Sequence, residues 1–121
     1  MSIKGIRWTA EPLRNATAAA ITAGAGDFVP VGDQTLNPAN QFYLLNFTDA
    51  LLIVSFDGIN DHLVMPQGTN FFDDVGSDKS NQAGALVLPA NTQIWVAYSG
   101  IDNPTTGNFY ASIFYAAPQE S

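Results

Sequence analysis

His62, the lone histidine, closes the run Asp57-Gly58-Ile59-Asn60-Asp61-His62. A carboxylate that orients an imidazole is one half of a proton relay, and Asp57 or Asp61 could supply it. The sequence offers no second half. It has no cysteine, and no serine stands in the Gly-x-Ser-x-Gly elbow that presents a nucleophile. His62 therefore reads as a structural residue at the start of a strand, and no catalytic residue is assigned. Asp73, Asp74 and Asp78 form a second cluster, with Asp57 and Asp61 a turn apart in sequence. Hard carboxylate oxygens suit calcium, but the spacing is not that of an EF-hand loop. Solvated acidic loops are the reading, and no metal is assigned. Trp95, Tyr98, Tyr110 and Tyr115 could stack on the faces of sugars, although aromatics in strands usually serve a core or an interface. With no glycine-rich phosphate loop and no ligand set, no cofactor is expected.

The elements that would position these residues are short strands. Asn46–Gly68 is the organising stretch. Ala50–Phe56 is nearly all apolar, Asp57-Gly58 breaks it, and a second strand over about Asp61–Met65 ends at Pro66 and Gly68. Asp-Gly signals a tight turn because both residues tolerate positive φ. Asn46 and Thr48-Asp49 make a polar corner before the hydrophobic run. Further strands are expected at Phe28–Val31, on an edge because of Pro30, and at Gln41–Phe47, Thr69–Asp74, Ala85–Leu88, Gln93–Tyr98 and Phe109–Tyr115. The last alternates most cleanly, with Phe109, Ala111, Ile113 and Tyr115 opposite Tyr110, Ser112 and Phe114. Gln41–Phe47 is apolar on both faces, which asks for cover on its outward side. Asp73–Gly84 reads as an exposed loop. About eight short antiparallel strands without a convincing helix predict an all-β fold, a β-sandwich or jelly roll.

Three regions are expected: an N-terminal arm and a strand entering the sheet (1–26), a β-sandwich domain (27–116) and a C-terminal tail (117–121) that leaves the sheet at Pro118. Within the first region, Ala18–Thr22 is expected to be a strand.

Composition narrows the function. Only 12% of residues are charged, about half the usual share of ~25%. Such a surface suits permanent packing against other proteins. Net charge is −7, unevenly spread. Residues 1–26 hold Lys4, Arg7 and Arg14 against Glu11, while the remainder sets Lys79 alone against ten acids. An acidic body argues against nucleic acid as a partner. No run approaches the ~18 apolar residues of a membrane helix, so no membrane partner is expected. Lys4 and Arg7 are followed by no apolar stretch of the kind a signal peptide needs.

The order of several short motifs adds a resemblance. Asn46-Phe47-Thr48-Asp49, Ser55-Phe56-Asp57-Gly58, Asp61-His62, Pro66-x-Gly68, Asp73, Asn81, Pro89-x-x-Thr92-x-Ile94-Trp95-Val96 and Gly107-Asn108-x-Tyr110-x-Ser112-Ile113-x-Tyr115 follow one another. Arg14-Asn15-Ala16 and Ala20-Ile21-Thr22 precede them. From about Arg14 to Ala116 the chain resembles small virion structural proteins of tailed bacteriophages. The resemblance implies an all-β, non-enzymatic subunit located in the virion. Capsid cement or decoration is the preferred role. A head–tail connector, collar or adaptor subunit, or a carbohydrate- or receptor-binding module on the virion, is the alternative. The implied partners are other copies of the chain and other virion proteins, either the major capsid protein or portal and connector proteins. The expected interface is the N-terminal segment, through Lys4, Ile6, Arg7, Trp8, Leu13 and Arg14. It combines bases that could meet an acidic neighbour with apolar anchors.

Overall fold

The computed structural model describes residues 6–39, 41–74, 88–99 and 103–118. Their elements are β1 (Ile6–Ala10), β2 (Arg14–Thr17), α1 (Ala18–Ala23), β3 (Val29–Pro30), β4 (Gln41–Thr48), β5 (Leu52–Ser55), β6 (Leu63–Met65), β7 (Asn70–Asp74), β8 (Trp95–Tyr98) and β9 (Gly107–Pro118). A five-stranded sheet runs β1-β9-β4-β7, with β2 also paired to β9, and a four-stranded sheet runs β3-β8-β5-β6. Every pairing between these strands is antiparallel. From β2 onward each connection crosses to the other sheet, apart from β5–β6. With β1 and β2 counted as one interrupted strand, this is the connectivity of an eight-stranded jelly roll.

Alternation builds the core. Phe42 and Leu44 of β4 and Phe109, Ala111 and Ile113 of β9 face Leu52, Val54, Met65 and Val96 of the other sheet, all of them buried. One strand period thus explains both layers: residues i and i+2 point inward and i+1 points out.

The N-terminal region differs from its expectation. Ile6–Ala10 is no free arm, because it pairs with β9 from Ile6↔Pro118 to Ala10↔Phe114. The same pairing keeps Ala117 and Pro118 in the sheet, where a departing tail was expected. Residues 1–5 and 119–121 lie outside the described residues. Ala18–Thr22 is helical, and the strand is the preceding Arg14–Thr17. Thr17 caps the helix by accepting from the Ala20 amide at 3.1 Å, and three successive alanines carry the highest helix propensity. Of the expected strand Ala85–Leu88 only Leu88 is described, bridged to Ala39, and residues 75–87 lie outside the described residues. Asp73 and Asp74 belong to β7 instead of a loop.

The central hairpin is wider than a tight turn, with Val54↔Leu63 as its last pair. Gly58 does sit at positive φ, +75°. A side chain there would also meet the Trp95 indole at 2.9 Å, so the loop lies directly on that ring.

Candidate functional site

The residues with the most chemistry to offer are engaged in holding loops. His62 Nδ1 accepts from the Phe56 amide at 3.0 Å, while its Nε2 stands 3.9 Å from Asp57 Oδ2. Asp57 Oδ1 accepts from the amides of Ile59 and Asn60, each at 2.8 Å, and from Ser55 Oγ at 2.9 Å. Its Oδ2 accepts from Asn60 Nδ2 at 2.9 Å. The Asn60 and Ile59 amides, with the Asn60 side chain, hold the Asp57 carboxyl well below its usual range. A carboxylate spent on its own loop is a poor cation ligand. Among the described residues no three His, Asp or Glu side chains gather to hold a metal.

Asp49 ties the β4–β5 corner to the segment before β9. It accepts from Thr105 Oγ1 and from the amides of Thr105 and Thr106. The Thr105 hydroxyl first, then the two amides, bring its pKa down to about 2. Beside it Asn46 is fully buried. Its Nδ2 donates to the carbonyls of Ala50 at 2.9 Å and Met65 at 2.8 Å, and its Oδ1 accepts from Thr48 Oγ1 at 2.6 Å. The polar corner is thus a brace between two turns.

Arg14 belongs to a similar brace. It is buried, with Nη2 2.6 Å from Glu11 Oε1. Its Nε and Nη2 donate to the carbonyls of Asp33 and Gln34 at 2.7 and 2.8 Å. Glu11 Oε2 accepts from the amides of Leu36 and Asn37 and from Asn37 Nδ2. Burial alone would raise the Glu11 carboxyl. The donors from Asn37, Leu36 and Arg14 outweigh it and hold the group low. Arg14 therefore leaves the expected docking set, its guanidinium being committed inside the molecule. Of that set, Leu13 is 62% exposed. It lines a groove of about 170 Å³ with Leu36, Gly32 and Asp33. Ile6, Arg7 and Trp8 lie on β1, Trp8 being registered against Ala116. Lys4 lies outside the described residues.

The four aromatics considered for sugar stacking do not converge. Trp95 is under the Gly58 loop, Tyr98 packs against the core, and Tyr110 faces outward from the five-stranded sheet. Tyr115, registered against Thr9, has the parity of the inward Ile113.

A different aromatic surface does assemble. On β4 the outward residues are Tyr43, Leu45 and Phe47, and Phe47 is 65% exposed. Register places Phe72 of β7 beside Tyr43, their rings 6.5 Å apart, and Asn70 beside Leu45. Phe72 is 53% exposed. On the other flank Ser112 is registered with Tyr43 and Tyr110 with Leu45. Asn15 of β2 follows, paired with Tyr110. Asn108 Nδ2 donates to the Tyr110 hydroxyl at 3.2 Å. The described side chains across this face carry no charge, and Asp74 is paired with Gln41 at its margin. The two-sided apolar pattern of Gln41–Phe47 signalled such a face. Phe72, adjacent to the inward Phe71, carried no separate signal.

No protein-family model matches the chain, and no curated protein matches it. Among solved structures it is similar to a chain of Bacillus endospore appendages, described as forming a novel family of disulfide-linked pili. The identity is 11% and the TM-score 0.46, over 94% of this chain and 90% of that one. This chain has no cysteine.

Proposed function

We propose that the protein is a non-enzymatic structural subunit of a virion, held on a phage head as capsid cement or decoration. The observation that carries this reading is the outward face of the five-stranded sheet, which is aromatic, free of charge among its described side chains and uncovered by any described segment of the chain. A protein that keeps such a face in water needs a protein surface to bury it. The order of motifs from Arg14 to Ala116 supports the virion setting. The jelly roll is compatible with it, since that fold serves capsids as well as lectins and cupins. The polar groups best placed for chemistry brace turns, which suits a rigid building block.

In this proposal the partners are other copies of the chain and the capsid protein. Lys4, Ile6, Arg7, Trp8 and Leu13 form the capsid-side contact, where bases on an otherwise acidic chain meet acidic neighbours. Each exposed ion pair adds at most about 1 kcal/mol, so apolar anchors dominate the affinity. The test is the number of copies in purified particles of the phage that encodes the chain. On the order of hundreds per particle is expected for a subunit that follows the symmetry of the shell. About a dozen would instead make it a connector-ring subunit of the neck. Absence from the particles would overturn the reading.

A further inference from the structure

We infer that the outer face of the five-stranded sheet is a homodimer interface, through which two copies pack face to face about a two-fold axis. The inference rests on the reading of the chain as an assembly subunit and names that face's partner as a second copy.

Charge is the first argument. Each copy carries a net charge of −7, so two copies repel wherever their acids meet. The described side chains of this face add nothing to that repulsion, and Asp74 is paired with Gln41 only at its margin. A basic partner would call for acidic residues here, and the face presents amides, hydroxyls and aromatic rings.

Self-complementarity is the second. A two-fold contact sets a surface against itself. Lysine only donates and an ionised carboxylate only accepts, so neither satisfies its own mate. The amides of Asn15 and Asn70, the Ser112 hydroxyl and the Tyr43 and Tyr110 hydroxyls each donate and accept. Each of these groups can therefore pair with any of the others across the axis, whichever register the two copies adopt.

Area is the third. Strands β2, β9, β4 and β7 lie side by side in this sheet. With strands about 4.8 Å apart and a rise of about 3.4 Å per residue, the face covers on the order of 400–500 Å². A pair of copies buries on the order of 1,000 Å², the lower limit for a specific interface. The association is accordingly weak to moderate. Sheets packed about 10 Å apart, as within the sandwich, would let Phe47 and Phe72 interdigitate with the partner's relief.

The test is sedimentation equilibrium of the full chain from about 1 to 500 µM, a range set by weak interfaces, at low and high salt. A monomer–dimer equilibrium that strengthens with salt is expected, because salt screens like charges. Phe47→Ser and Phe72→Ser should each raise the dimer dissociation constant at least about tenfold, with unchanged circular dichroism. Val64→Ser, at an exposed position of the other sheet, should not. A monomer at every concentration overturns the inference, and so does a dimer weakened by Val64→Ser alone. Monomeric chain that binds a glycan array, and loses binding in the Phe47 and Phe72 variants, makes the face a sugar platform and also overturns it. Copy number in particles is read separately. A dimer absent from particles would cancel the virion reading alone, and abundant copies in particles with no dimer would cancel this inference alone.

Discussion

The two sheets treat their outward faces differently. On the four-stranded sheet the Asp57–His62 loop folds back over Trp95, and Ser55 and Ala97 are buried although they point away from the core. Ser55 Oγ accepts from the Gly58 amide at 2.9 Å, fastening the loop down. On the five-stranded sheet no described segment covers Tyr43, Leu45 and Phe47, and Phe47 is 65% exposed. Among the described residues, a loop thus covers the Trp95 side of one outward face, where Val64 stays 61% exposed, and no segment covers the aromatic strip of the other. Apolar content alone does not mark an interface. The proposed interface is apolar content that no described segment covers.

The largest effect lies in the layer between the faces. Phe109 is fully buried, and Phe109→Ala should cost about 3–5 kcal/mol in a chemical melt. A loss below about 1 kcal/mol would mean that the sheets do not pack as described, and the contrast would dissolve. On the covered face, Gly58→Ala meets positive φ and the Trp95 ring together. It should cost about 1–3 kcal/mol and shift Trp95 fluorescence to the red. An unshifted spectrum would show that the loop is not the cover.

Acid should loosen the braces. Glu11, Asp49 and Asp57 all have lowered pKa values in the folded protein. Their contribution is therefore complete above the ordinary values of 4.5 for Glu and 3.8 for Asp and fades as pH falls below them. For Asp49 the loss runs down to about 2. Melts followed across this range should show falling stability, and Asp57→Asn should flatten part of the slope. A profile flat in acid would contradict these braces. The smallest stability effects belong to the uncovered face. Phe47→Ser and Phe72→Ser should change monomer stability by only about 0.5 kcal/mol, measured by urea melts at low protein concentration. A much larger loss would mean that the chain itself covers the face.

Much of this architecture was legible from residue order. The alternation of Phe109–Tyr115 and the two-sided pattern of Gln41–Phe47 place β9 and β4 correctly, and the positive φ of Gly58 follows from Asp57-Gly58. What stayed hidden depends on distant partners. β1 is a strand because the far end of β9 lies beside it, more than a hundred residues away in sequence. Arg14 looks like a surface base until Glu11 and the carbonyls of Asp33 and Gln34 close around it. The Thr and Gly residues near Ala18–Ala20 weigh against a helix in the sequence, whereas in the structure Thr17 supplies the cap that starts one. The outward face was visible as a pattern on β4. Its extension to Phe72 and Tyr110 needed the register, and its contrast with Trp95 needed the path of a loop.

Disulfide trapping tests the central claim most directly, because the chain has no cysteine of its own. Single cysteines at Leu45, Asn70 and Ser112 sample the uncovered face, and Val64→Cys samples the other sheet. A disulfide closes only when the two Cα atoms come within about 7 Å, so trapping reports which residues approach their own mates at a two-fold axis. The account predicts oxidised dimer from at least one of the three face positions and none from Val64→Cys. No dimer from any face position, or equal trapping at Val64, would contradict it.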